Sequence, residues 1–287
     1  MGLAELLARA TESDALCAAV DAADPTDVAA ALALADHDDP RVRRLVASVI
    51  PLLTHGDPPT DAMVAVLLRL TADVEADVRD HACFALGTQL RDVDTSDVRD
   101  ALAARLDDIH RDTRSEALVG LAYRQDPRAF PRVRDALSRP DGQVWTLEVV
   151  AAGALGDPRL HELVLRHVDG WGDVDAARPA RAAARLTDPA WPDAELVDGV
   201  ARLYRRRARG WPEGDAVSAW RPVDDVLDMA PSRAGDLFDA VLARLAGDEA
   251  AERLLREESA LAQLAAEGGH GPAQRSGGRV PVRPAAP

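Results

Sequence analysis

A block of roughly 35 residues recurs through the first two thirds of this chain, and it limits the possible folds more than any other feature. The segments "VIPLL", "ALGTQL", "GLAYR", "ALGDP" and "RLTDP" align on Ile50, Leu86, Leu121, Leu155 and Leu186, at spacings of 36, 35, 34 and 31. Four residues before each anchor stand Val46, Ala82, Ala117, Ala151 and Ala182. A small residue held in one column is what close helix–helix approach requires. Seven before the anchor come Arg43, Arg79 and Arg114, after which Glu148 and Pro179 break the column.

Within a block the apolar positions have helical periodicity. In "RVRRLVASVIPLL", Val42, Leu45, Val46, Val49, Ile50 and Leu53 fall on one face of a helix. A first helix precedes each such segment, over 26–36, 60–72, 96–107, 128–138 and 158–168. Asp-Pro pairs at Asp24, Asp39, Asp57, Asp126, Asp157 and Asp188 suit an N-cap followed by Pro in the first turn, so each is expected to open a helix. Two helices per unit cannot bury their apolar stripes alone, and stacked pairs can. The reading is an all-α fold: an α-α superhelix of five to six helix pairs. Composition agrees, because 47% of the residues are hydrophobic but only 3% aromatic, so the apolar content is mostly Ala, Leu and Val.

The segments "DDPRVRRLVASVIPLL" and "EADVRDHACFALG" resemble the second-helix signature of HEAT repeats, of the PBS-lyase HEAT-like kind. The resemblance covers residues 24–190 and implies a HEAT-type solenoid, but no particular function. Past residue 190 the rhythm changes. A long helix is expected over 193–208, an irregular excursion over 209–231, and two capping helices over 232–246 and 248–267. The tail 268–287 has five Gly, four Pro, three Arg and no acid, the composition of a disordered segment. Three parts follow: a solenoid over 1–190, divergent helices and cap over 191–267, and the tail.

Chemistry is sparse. The chain has no Lys, which excludes Schiff-base lysine chemistry and a Walker-type phosphate loop. Its two cysteines, Cys17 and Cys83, sit in apolar helical contexts and read as buried free thiols of a reducing compartment. The N-terminus lacks the pattern of a signal peptide and no stretch is long and apolar enough for a membrane span, so a soluble cytoplasmic protein is expected. Deoxyhypusine hydroxylases, which resemble this fold, hold iron through repeated His-Glu pairs. Here His81 is followed by Ala82, and the one His-Glu, His161-Glu162, lies on a first helix. A metal site is not expected, nor is any other cofactor. Phycobilin lyases also resemble this repeat class, but no residue set here is diagnostic of that activity.

One stretch stands out. "YRRRARGWPEGD" places Arg202, Arg205, Arg206, Arg207 and Arg209 together in a chain of formal net charge -15. Arg202, Arg206 and Arg209 share a stripe opposite Val200, Leu203 and Tyr204, so a solvated helix face accounts for them. Together with Trp211 and Trp220 they also form a candidate partner site, since Arg and Trp dominate interface hot spots. The expectation is a non-catalytic, monomeric protein- or peptide-binding module. Its site residues are Arg202, Arg205, Arg206, Arg209, Trp211 and Trp220, and its partner is acidic. The alternative is a nucleic-acid-acting enzyme resembling HEAT-like alkylpurine DNA glycosylases. Without the five arginines of that patch the rest of the chain sums to -20 (-15 minus 5), which argues against holding a phosphate backbone. No membrane partner is expected.

Overall fold

The computed structural model describes residues 2–9, 14–140, 143–169, 177–210 and 217–266. Side chains of 14–16, 217–221 and 258–266 are outside that description, as is the whole tail from 267. Every regular element among the described residues is helical. The chain divides into two compact units: Met1–Leu196 with Trp220–Ala234, and Val197–Ala219 with Gly235–Pro287.

The first unit is an all-α superhelical stack of helix pairs. A leading pair, α1 (Leu3–Ala8) and α2 (Asp14–Asp21), is followed by first helices α3 (Pro25–Ala33), α5 (Asp61–Leu70), α7 (Ser96–Ala103), α9 (Ala129–Leu137) and α11 (His161–Leu165). Each of these precedes a second helix: α4 (Pro40–Val49), α6 (Ala76–Phe84), α8 (Arg111–Tyr123), α10 (Thr146–Leu155) and α12 (Arg178–Thr187). The second helices pack on one another in succession, α4 on α6 on α8 on α10 on α12, while the first helices touch less extensively. The small column lies in this closest layer: Val46, Ala82, Ala117, Ala151 and Ala182 are all buried. Of the anchors, Ile50, Leu86, Leu121 and Leu186 are buried, whereas Leu155 is half-buried.

Some Asp-Pro pairs open helices as expected. Asp24 accepts from the amides of Thr26 (2.7 Å) and Asp27 (2.9 Å), and Asp27 returns the bond in a capping box. Asp39 accepts from Arg41 N at 2.9 Å with Pro40 at the helix start. Asp157 and Pro158 open a short 3-10 turn leading into α11. Three pairs do not open helices: after Asp126-Pro127, α9 begins only at Ala129, with Arg128 at its N-cap and no side-chain cap. After Asp57-Pro58 the cap passes to Thr60, which accepts from Met63 N, and after Asp188-Pro189 it passes to Asp193, which accepts from Leu196 N. A side-chain oxygen placed nearer the first apolar turn takes over the orphan donors.

The arginine column forms a ladder. Arg43 Nη1 donates to the carbonyls of His37 (2.8 Å) and Asp38 (3.1 Å), while Nε and Nη2 donate to Asp73 at 2.7 and 2.8 Å. Arg79 repeats this one unit on, with the carbonyls of Asp73 (2.9 Å) and Val74 (3.0 Å) and both oxygens of Asp108 at 2.8 Å. Arg114 holds the carbonyls of Asp108 and Ile109, but the residue 29 further on is Gln143 and the ladder stops. Each aspartate also accepts the amide two residues later, from Glu75 and His110. Burial pushes the Asp73 carboxyl up, but Arg43 and the Glu75 amide outweigh it and hold it below the ordinary range. The Arg79 guanidinium does the same for Asp108. Where the column changes sign, Glu148 accepts from the amide of Trp145 at 2.9 Å and pairs with Arg139.

Backbones meet where side chains are absent. A Cβ on Gly120 would lie 2.6 Å from the Gly87 Cα, and one on Gly87 would lie 2.9 Å from the Glu116 carbonyl oxygen. Residues 85–89 form a π-helical turn that ends α6, and Arg124 ties it off. The Arg124 guanidinium donates to the carbonyls of Leu86, Gly87, Leu90, Val93 and Gly120. Burial lowers its pKa to about 10, so it stays charged at neutral pH.

Two sequence expectations need correction. Residues 217–229 are not irregular: they form α14 (Val217–Met229), which from Trp220 on belongs to the first unit. Val223, Val226, Met229 and Ala230 are buried at helical spacing, and that burial offsets the roughly 3 kcal/mol cost of Pro222 inside the helix. Cys17 is exposed rather than buried, because α2 belongs to the terminal pair, while Cys83 is buried and its thiol is pushed well up by desolvation. The tail 268–287 lies outside the described residues.

The second unit contains most of α13 (Ala194–Ala208), with α15 (Ala234–Leu245) and α16 (Glu249–Ala266). Its core is Val200, Leu203, Tyr204, Leu237, Val241, Leu245 and Leu255. Asp198 pairs with Arg244 at 2.5 Å.

Candidate binding surface

Each second helix of the first unit keeps one stripe away from its own first helix. On α6 that stripe is Asp77, His81, Phe84 and Thr88, at i, i+4, i+7 and i+11, the least buried positions of the segment. Equivalent positions elsewhere follow from the repeat. The Phe84 column holds Ser48 on α4, Val119 on α8, Gly153 on α10 and Ala184 on α12.

Over α4 and α6 this face is open. Phe84 is 37% exposed, and Ser48, His81, Thr88 and Arg44 are half-buried. His81 Nδ1 lies 2.8 Å from the carbonyl of Asp77, one turn back on its own helix, and Nε2 lies 3.3 Å from Arg44 Nη1. A carbonyl only accepts and a guanidinium only donates, so the ring carries its proton on Nδ1 and accepts at Nε2. Thr88 Oγ1 donates to Glu116 on the neighbouring α8 at 3.4 Å.

Over α10 and α12 the same face is covered by α14 of the chain itself. The Met229 sulfur sits 2.0 Å from where a Cβ on Gly153 would stand, with Ala183 Cα a further 3.0 Å neighbour, so only glycine leaves room for it. Arg91 Nη1 donates to the Asp228 carbonyl at 2.8 Å, and its guanidinium lies 5.4 Å from the Tyr123 ring centroid. Arg178 pairs with Asp225, and Arg233 donates to the carbonyl of Gly156 at 2.8 Å. Burial, with Asp228 and Asp225 nearby, pushes the Asp224 carboxyl above its ordinary range. Desolvation also raises the Tyr123 phenol. Among the described residues no cluster of three or more His, Cys, Asp or Glu side chains is arranged to hold a metal ion.

The arginine patch lies in the second unit. Arg202, Arg206 and Arg209 are exposed on one side of α13, opposite the buried Val200, Leu203 and Tyr204. Arg205 differs: its Nη2 donates to the carbonyl of Arg244 at 2.6 Å, near the end of α15. Arg207 lies over the Tyr204 ring, 5.4 Å from its centroid. Trp211 lies outside the described residues. Trp220 stands on α14, so it is grouped with the first unit and not with the arginines, and its side chain is outside the description. Sequence reasoning missed Gly153 and Met229. A glycine inside a helical pattern was the available signal, since it costs about 1 kcal/mol against Ala unless something approaches closely.

The fold thus defines the class: an all-α superhelical protein of stacked helix pairs. No family model matches the chain. Among curated proteins it is similar to Protein YibA of Escherichia coli strain K12 and of Escherichia coli O157:H7. Each is 34% identical over 119 residues, covering 42% of this chain. The chain matches 39% of the length of these relatives. Among solved structures, the X-ray structure of Escherichia coli YibA aligns with a TM-score of 0.49 and 26% identity, over 64% of this chain and 66% of that one. No helix among the described residues is long and apolar enough to cross a membrane.

Proposed function

We propose that this chain is a HEAT-type, cytoplasmic, non-catalytic scaffold that binds a protein or peptide on the free face of its second helices. The observation that carries the reading is α14, a helix of the chain's own that lies on that face over α10, with Gly153 making room for Met229. A face that takes one helix can take a second beside it, over Ser48, His81 and Phe84. The exposed Asp77 on this face, with Asp80 and Glu116 buried close behind it, favours a protein over a phosphate backbone. Arg202, Arg206 and Arg209 are proposed as a separate contact for an acidic segment of the partner, with Arg205 fixing the helix end beneath them. The test is affinity capture from the native host with the intact chain, with Phe84→Asp, and with Arg202, Arg206 and Arg209 all changed to Glu. The reading expects one protein enriched by the parent and lost in a variant whose melt is unchanged. Capture of the same proteins by all three would overturn it. Release of alkylated bases from duplex DNA by the parent would instead favour the glycosylase reading.

A further inference from the structure

The loops that join first to second helices carry exposed apolar side chains, two of them at matching positions of the repeat. Val74 directly precedes Glu75, the N-cap of α6. Ile109 directly precedes His110, the N-cap of α8, and Trp145 is itself the N-cap of α10. Val74 is 87% exposed, Ile109 92% and Trp145 44%. Isolated exposed apolar residues are ordinary, but Val74 and Ile109 stand in register, each 12 residues before its anchor, and the exposed Trp145 follows on the next unit, 10 before Leu155.

These side chains stand on loops fixed from behind. The Val74 and Ile109 carbonyls receive Nη1 of Arg79 and Arg114, each at 3.0 Å. The Trp145 amide is held by Glu148, and the Arg111 guanidinium lies 4.1 Å from the Trp145 ring centroid. A docking segment would therefore meet an already ordered edge, which removes part of the ordering cost of binding.

The charge along this edge selects the partner. Asp38, Glu75 and Asp77 are exposed beside the row, while the exposed Asp107 pairs with Arg132 at 2.6 Å. The ladder arginines are turned inward onto carbonyls and aspartates, and the exposed Arg41 and Arg111 pair with Asp39 and Asp112. A second copy of the chain would bring the same carboxylates face to face, and an anionic lipid surface would be repelled.

We infer that this loop edge docks a basic segment of another protein whose apolar side chains recur at the spacing of the repeat. Packed helices lie about 8–10 Å apart, so the anchors recur every third residue of a polyproline-II segment, where i and i+3 share a face, or every seventh of a helix. The edge is distinct from the helix-lined face proposed above, and either can fail without the other.

The test uses fluorescein-labelled synthetic peptides and anisotropy with the full chain. Two probes carry Leu at every third or every seventh position with Lys between, and two counterparts carry Glu in place of Lys. The expected result is saturable binding of at least one Lys probe, weakened by salt and by about tenfold or more in the Val74→Ser, Ile109→Ser double variant. That variant should melt like the parent, since both side chains are exposed. Equal binding by the Glu counterparts, undiminished binding to the double variant, or no binding by either Lys probe would overturn the inference. So would a dimer in sedimentation equilibrium that the double variant disperses, because the occupant would then be a second copy.

Discussion

The two halves of the first unit join successive helix pairs by different means. From α4 to α8, a buried arginine reaches forward to an aspartate of the next loop and back to two carbonyls of its own. From α10 to α12 the ladder is gone, replaced by Glu148 and Pro179, and a helix that begins 30 residues past the end of α12 lies across the face instead. The first device works behind the loops and leaves the helix face open. The second occupies the face and leaves little of it for a partner. The lesson is that in a stack of near-identical repeats, the means of cohesion decides which surface stays available.

The sharpest way to break that comparison is Arg79→Ala. It takes from Asp108, whose side chain is only 3% exposed, its two-pronged partner, leaving the His110 amide and Arg105 at 3.4 Å, and frees two loop carbonyls. Removing one partner of a buried pair typically costs about 3–5 kcal/mol. The matching change in the other half, Arg178→Ala, should cost below about 1 kcal/mol, because that arginine is 38% exposed and screened by solvent. Urea melts of both variants check this, and equal losses would mean the halves are not held differently.

Gly120→Ala and Gly153→Ala come next. A Cβ at 120 meets backbone, which cannot step aside, and overpacking should cost about 1–3 kcal/mol after any gain in helix propensity. At 153 the nearest atom is the end of a flexible methionine, so Met229→Ala should recover part of the loss. A double-mutant cycle measures that coupling, and additive losses would place Met229 away from Gly153 in solution.

Acid should separate the halves again. Asp73 and Asp108 are held below their ordinary range in the fold, so an unfolded chain takes up protons first as pH falls. Their contribution is fully present above the unfolded value of about 3.9 and is lost as pH drops through the folded values. Asp224 is raised and works the other way. Hydrogen exchange near pH 3 should therefore show α4 to α8 loosening before α10 to α14. Uniform exchange across all of them would contradict it.

The smallest effect on stability is expected from Arg202, Arg206 and Arg209 changed together to Glu. Exposed substitutions usually shift stability within about 0.5 kcal/mol, with somewhat more from charge reversal near a helix C-terminus. A large thermal shift would make these arginines structural, like Arg205.

Much of this architecture was legible in residue spacing. The period near 35, the small column and the Arg43, Arg79, Arg114 column are local and repetitive, so each unit states its own helices and its own contacts to the next. The arginine column was visible without its meaning, because Asp73 and Asp108 lie 29 or 30 residues away and look like any loop acid. Of the candidate site, the exposed stripe of Arg202, Arg206 and Arg209 could be read from helical periodicity, and the separate grouping of Trp220 could not.

The sequence by itself determined what depends on neighbours within a turn or a repeat: helix periods, caps at Asp24 and Asp39, and the stacking of second helices. The tertiary structure alone decided what depends on distant segments. Pro222 and two Trp made residues 209–231 read as irregular. The free energy that makes 217–229 a helix comes from burying Val223, Val226 and Met229 against helices far earlier in the chain. Likewise, that Val74 and Ile109 stay exposed while Val78 and Val119 are buried follows from which side of each loop the next repeat covers. Burial is a property of the assembled stack, and a residue's own neighbours in sequence do not carry it.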